Sequence, residues 1–141
     1  MTLDVLKDRL FAEGYRLLVH ELRPWGLMIS DLHLTWIGGR FTVAWTERGE
    51  IVETLHAGED ETAACDCFHE VVSDRQWHFR TFMDGPEADA ATARLQAAGL
   101  RVTRNDISNF NGAGDARHRL FLVGRDLAGA ERIVAPDASA R

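Results

Sequence analysis

RFTVAWTERGEIVETLHAGEDETAACDCFHEVV, residues 40–72, decides the fold. Phe41, Val43 and Trp45 alternate with Arg40, Thr42, Ala44 and Thr46. Successive side chains of a strand leave opposite faces, so this period of two predicts a half-buried strand with Trp45 inside. Glu47-Arg48-Gly49-Glu50 turns the chain, with Gly49 free to take the positive φ of a short hairpin. Ile51 to Leu55 return as a second strand. The acidic run Glu59-Asp60-Glu61 then opens a helix, where negative side chains favour the free amides of the first turn. Ala64, Phe68, Val71 and Val72 fall at i, i+4, i+7 and i+8 and form one apolar face.

The same stretch concentrates charge. From Glu47 to Asp74 there are nine acids and one cation, Arg48, a net of −8 where the whole chain carries −6. Such a field favours encounter with a basic partner and opposes nucleic acid. A sequence pI near 5.4 points the same way.

Upstream, Thr2 caps a first helix whose stripe is Leu3, Leu6, Leu10 and Phe11, and Gly14 fits the left-handed position past its end. Tyr15 to Leu22 reads as a strand that His20 and Glu21 end near Pro24. Trp25 to Asp31 reads as a second strand. Asp31-Leu32-His33 is a link, Leu34 to Ile37 is extended, and Gly38-Gly39 turns. Short turns between adjacent strands imply an antiparallel sheet.

Downstream, Trp77 to Phe82 is β-like. Asp84, Pro86 and Glu87 mark a helix start, and Ala88, Ala91, Leu95 and Ala98 line it up to Gly99. Leu100 to Arg104 is a strand, Asn105 to Arg117 a polar loop, and His118 to Gly124 a strand. Glu131 to Val134 adds an edge strand or a short helix, and residues 135–141 are a tail. Leu10 to Leu17 aligns with Leu95 to Val102 as helix end, Gly cap and strand, a faint similarity between the two halves. The expectation is one α+β domain over residues 1–134, an antiparallel sheet packed against two or three helices.

No apolar run approaches the ~20 residues of a membrane span. MTLDVLKDRLFAEG carries acids among its apolar residues and does not read as a secretory signal, so the expected compartment is the cytoplasm. Cys65 and Cys67, two apart on a helix, point about 200° apart, so no disulfide joins them. Cys65 is expected in the core and Cys67 nearer the surface. His69 is close, but no second Cys/His cluster follows, and neither a metal nor another cofactor is expected. Dinucleotide, phosphate-loop and nucleophile-elbow motifs are absent from the sequence. The six histidines are scattered. The acid–base pairs worth testing are His56 with Glu59, and His118 with Asp106 or Asp115. In the polar loop, Asp106, Asn109, Phe110, Asn111 and Asp115 are candidate contacts, and Trp25, beside Pro24, is the candidate exposed anchor.

The run Phe41-x-Val43-x-Trp45-x-Glu47-Arg48-Gly49-Glu50, then Glu59-Asp60-Glu61-x-Ala63-Ala64-Cys65 and Phe68, resembles small bacterial immunity proteins. These are the antitoxins encoded beside polymorphic and contact-dependent growth-inhibition toxins. The resemblance covers residues 3 to 75; His56-Ala57-Gly58 stand where such sequences often carry a Phe. It implies a bacterial cytoplasmic protein, monomeric when free, that binds one cognate toxin domain and blocks its active site without turnover. Such toxins are often basic nucleases. Glu47, Glu50, Glu53, Glu59, Asp60 and Glu61 would then steer the encounter, with Asp106, Asn109, Asp115 and Trp25 as further contacts. Two other readings compete: an acidic secretion chaperone for an effector, and a small hydrolase using His118 with Asp106 or Asp115.

Overall fold

Leu3–Ala12 form the first helix, α1, in the computed structural model, which describes residues 1–16, 18–19, 25–110, 112 and 114–135. The protein is α+β, and its contacts divide it into two compact units, Met1–Ser73 and Asp74–Arg141.

In the N-terminal unit the Thr2 side chain accepts a hydrogen bond from the Val5 amide and caps α1. That cap contributes about 1 kcal/mol. Leu3, Leu6 and Leu10 are buried as the spacing predicts, but Phe11 is 79% exposed. It stands one residue, about 100°, off the Leu10 stripe. Five strands follow in sequential order: β1 (Leu18–Val19), β2 (Gly26–Ile29), β3 (Leu32–Ile37), β4 (Arg40–Glu47) and β5 (Glu50–Gly58). Every pairing is antiparallel. Of the strand expected over residues 15–22, residues 17 and 20–22 lie outside those described, as do 23 and 24. The link expected at Asp31-Leu32-His33 is shorter: Ser30 takes a positive φ, and Leu32 already pairs with Ile29.

Register sets which residues share a face. Leu27, Ile29, Leu32, Leu34 and Val43 fall on one side of the sheet and are all buried. The helix α2 (Glu61–Asp74) buries Ala64, Cys65, Phe68 and Val72, while Val71 is half-buried. With the Leu3–Leu6–Leu10 stripe of α1 these are the buried apolar residues of the unit. Thr35, Thr42, Ala44 and Thr46, on the other face, are also buried. So β4 is covered on both sides at its centre, and Trp45, expected inside, is only half-buried near its end. Gly26, at φ +124°, admits no side chain: a Cβ there would lie 2.0 Å from the Leu34 carbonyl oxygen.

The C-terminal unit runs β6 (Gln76–Phe82), α3 (Gly85–Ala97), β7 (Val102–Ile107), β8 (Arg117–Val123), a 3-10 turn (Gly124–Asp126) and α4 (Leu127–Val134). Its sheet order is β6-β8-β7, both pairings antiparallel, so β8 lies between two strands joined through α3. Its strands do not extend the first sheet. Asp84 caps α3 through the Glu87 amide, with Pro86 in the first turn, as the sequence predicts. Leu120 and Leu122 of β8 pack with Ala91 and Leu95 of α3 and Ala130 and Val134 of α4. Ala98, expected on that apolar line, is exposed. The segment expected as Glu131–Val134 is the end of a helix that begins at Leu127. Beyond Ala135 the expected tail lies outside the described residues.

The two halves share one local device. Gly14 (φ 93°) donates to the Phe11 carbonyl and Tyr15 to that of Leu10; Gly99 (φ 86°) donates to Gln96 and Leu100 to Leu95. Both helices therefore end in the same paired bonds, with an apolar residue after the glycine returning to the last turn.

Candidate interaction surface

Of the acids singled out by charge, Glu47, Glu50 and Glu53 fall at the turn end of the β4–β5 hairpin, and Glu59 follows the far end of β5. Arg48 (φ 52°) and Gly49 (φ 83°) make a two-residue turn, so Glu47 and Glu50 sit directly opposite each other. Like charges in that position cost a few tenths to about 1 kcal/mol. Glu53 is the partner of Trp45 on the same face. Glu47, Glu50, Glu53 and Glu59 are all exposed. Among the described residues none of these four, nor Arg48, forms an ion pair.

The remaining two acids serve the fold. Asp60 accepts from the Thr62 amide at 2.9 Å and caps α2. Glu61, half-buried, accepts from the Leu3 amide at 3.0 Å and ties the start of α1 to α2. Further bonds join the same helices: Glu13 to His69 Nε2 at 2.8 Å, and the Tyr15 hydroxyl to the Val72 carbonyl at 3.4 Å. Trp25 is half-buried rather than projecting, its ring 4.9 Å from that of Phe41 and edge-on at 63°. Exposed apolar groups of this unit that sequence reasoning missed include Val5 (53%), Trp36 (46%), Ile51 (46%) and Val52 (60%). Trp36 stands at the end of β3 beside its turn, and Ile51 and Val52 on the edge strand, positions that alternation does not encode.

β5 carries two irregularities against β4. Leu55 and Val52 are extra residues between the pairs Val43–His56, Ala44–Thr54, Trp45–Glu53 and Thr46–Ile51. The strand expected at Ile51–Leu55 runs from Glu50 to Gly58, because pairing continues through Thr42–Ala57 and Phe41–Gly58. His56 does not pair with Glu59: its Nε2 has no hydrogen-bond partner among the described residues and lies beside Gly58.

The C-terminal unit places its charges differently. Asp106 is not in a loop; it lies on β7 opposite His118 of β8. Its Oδ1 meets His118 Nδ1 at 2.9 Å and accepts from Arg104 Nε at 2.8 Å. Those two hydrogen bonds, the Arg104 bond first, hold the Asp106 carboxyl below its ordinary range. Arg104 also donates to Asp89 of α3. His118 Nε2 faces Gly85, where a Cβ would stand 3.7 Å away. An Asp–His pair of this geometry can orient an acid–base imidazole. Arg104, shared between two carboxylates, and the Asp106–His118 contact tie β7, β8 and α3 together. The loop is braced from within: Asn109 Oδ1 accepts from the Gly114 amide at 2.6 Å, the Asp115 carbonyl from the Phe110 amide at 2.9 Å, and Arg117 lies over the Phe110 ring. Asn111 lies outside the described residues.

Both cysteines are free thiols. Burial, aided by Glu61, pushes Cys65 up to about 11, and burial with Glu70 raises Cys67. Neither is a ready thiolate at neutral pH. Among the described residues no three His, Cys, Asp or Glu side chains converge as a metal site requires, and no helix is long and apolar enough to cross a membrane.

Net charge separates the units. Residues 1–73 hold thirteen acids against six Lys and Arg, a net of −7; residues 74–141 hold nine against ten, a net of +1. No protein-family model, curated protein or solved structure matches this chain.

Proposed function

We propose that this protein is an immunity protein that binds a cognate toxin domain in the bacterial cytoplasm and blocks its active site. One observation carries the reading: Glu47, Glu50 and Glu53 are exposed together at the turn end of the β4–β5 hairpin without ion-pair partners among the described residues. The hairpin bears the cost of opposing Glu47 to Glu50, and folding alone gives no return for it. A basic partner does. Its approach would relieve the repulsion and be accelerated by the field, most strongly at low salt. A nuclease suits the charge, because a cleft built for phosphate is cationic. The protein would act by occlusion, as a free monomer that forms a one-to-one complex.

Co-purification from the source strain tests this. The expected result is a single basic toxin domain, in equal stoichiometry, whose lethality on expression is suppressed by this protein. Recovery of several unfolded effectors by a stable dimer would replace it with the chaperone reading. The His118–Asp106 contact at 2.9 Å is the observation that favours the hydrolase reading. That reading requires a pH-dependent hydrolysis lost in His118→Ala.

A further inference from the structure

Of the two edges of the first sheet, β1 is two residues long and β5 nine. Among the described residues β5 pairs only with β4, so half of its backbone hydrogen-bonding groups face outward. Natural edges are guarded by charged side chains, by Pro and by bulges. From Glu50 to Gly58, β5 has no Lys, Arg or Pro; its guards are Glu50, Glu53 and the two bulges. Between those acids it exposes Ile51 and Val52, so the edge discourages an acidic or flat strand but not a basic, twisted one.

We infer that β5 is a docking strand to which a basic, twisted edge strand of the partner adds, extending the five-stranded sheet. The inference rests on the proposed immunity role and specifies its binding mode. Backbone bonds along β5 would supply affinity, Ile51 and Val52 would receive alternate apolar side chains, and Glu50 and Glu53 would select cations between them. Charge decides the occupant. In the register that sets Ile51 opposite Val52 of a second copy, Glu50 would face Glu53, so that self-pairing is repelled while a strand carrying Lys or Arg is attracted. The bulges at Val52 and Leu55 sharpen the local twist. They suit a strand from a folded, twisted sheet and oppose flat stacking of extended chains.

The test is amide hydrogen exchange read residue by residue on the intact chain. One probe is an end-blocked eight-residue peptide of alternating Lys and Val, with alternating Glu and Val as its control. The Lys–Val peptide is expected to slow exchange within residues 50–58 by about tenfold or more. The Glu–Val peptide should leave it unchanged. The double variant Ile51→Lys, Val52→Lys changes only exposed side chains, and its circular dichroism verifies folding; it should lose the protection. Equal protection by both peptides, or protection confined to other strands, overturns the inference. The purified toxin complex separates the two readings. A complex that leaves residues 50–58 unprotected ends strand addition and spares the immunity role. Absence of any toxin partner, with the Lys–Val peptide still protecting β5, ends the immunity role and leaves the docking strand standing.

Discussion

The two units solve the same problem of surface charge in opposite ways. In the C-terminal unit charges are spent on one another: Arg104 with Asp89 and Asp106, Arg80 with Glu131, Arg125 with Asp74. Both of its edge strands carry an arginine, Arg80 on β6 and Arg104 on β7. In the N-terminal unit Glu13, at the end of α1, meets Arg9 and His69, and Asp66 of α2 meets the N-terminal amine, while the hairpin acids remain without such partners among the described residues. Internal pairing tells of a self-sufficient surface. Uncompensated charge beside exposed Ile51 and Val52 is what the proposed toxin-binding surface requires.

The largest blow to this comparison comes from Gly26→Ala. With the Leu34 oxygen 2.0 Å from the new carbon, β2 and β3 must separate. A loss of about 3 kcal/mol or more is expected in urea unfolding of the N-terminal unit. A loss under about 1 kcal/mol would mean the approach relaxes freely. Next, Leu34→Ala and Leu120→Ala each empty a fully buried site, one per unit. Each should cost about 2–5 kcal/mol. Hydrogen exchange should show lost protection confined to the unit that carries the change; protection lost evenly across both would show a single cooperative unit.

Reversing Glu47, Glu50 and Glu53 to Lys should slow toxin association by roughly tenfold at low salt and flatten its salt dependence. Asp89→Asn should leave the rate alone. Unequal stopped-flow rates in that order support the contrast between the units, and equal ones abolish it. Glu50→Lys alone turns a like-charge pair into an attractive one. It should raise stability by about 0.2–1 kcal/mol while weakening binding, a trade that thermal unfolding and titration together would reveal.

The smallest effect is acid titration of Asp106. Its folded carboxyl lies below the ordinary 3.8, held down by Arg104 and His118. Its contribution is therefore full above the unfolded value and is lost as pH falls through the lowered folded one. NMR of the Asp106 carboxyl should titrate below a free aspartate in the native chain and move up in Arg104→Met. An unmoved titration would remove Arg104 from the account.

Much of this was written locally. Caps at Thr2 and Asp84, the turn at Arg48-Gly49 and the twin helix ends at Gly14 and Gly99 each depend on a few adjacent residues, so their sequence suffices. The boundary errors have long-range causes. Asn105 to Ile107 look like loop because their composition is polar, yet pairing with Arg117 to Arg119 makes them strand. Phe11 and Trp45 look like core because they are large, and their exposure follows from where neighbouring elements end. The candidate surface divides in the same way. Its charge was countable in the chain, but whether an acid caps a helix, as Asp60 does, or has no ion-pair partner among the described residues, as with Glu53, is a matter of what folds beside it.

The sequence by itself determined the α+β class, the antiparallel meander and the acidic hairpin, because periodicity, turn chemistry and net charge are local or additive. Tertiary structure alone decided that the strands form two sheets, that Asp106 meets His118, and that β5 is an open edge. Pairing between distant strands is a competition among registers, and its outcome depends on which backbone and side-chain groups are buried together.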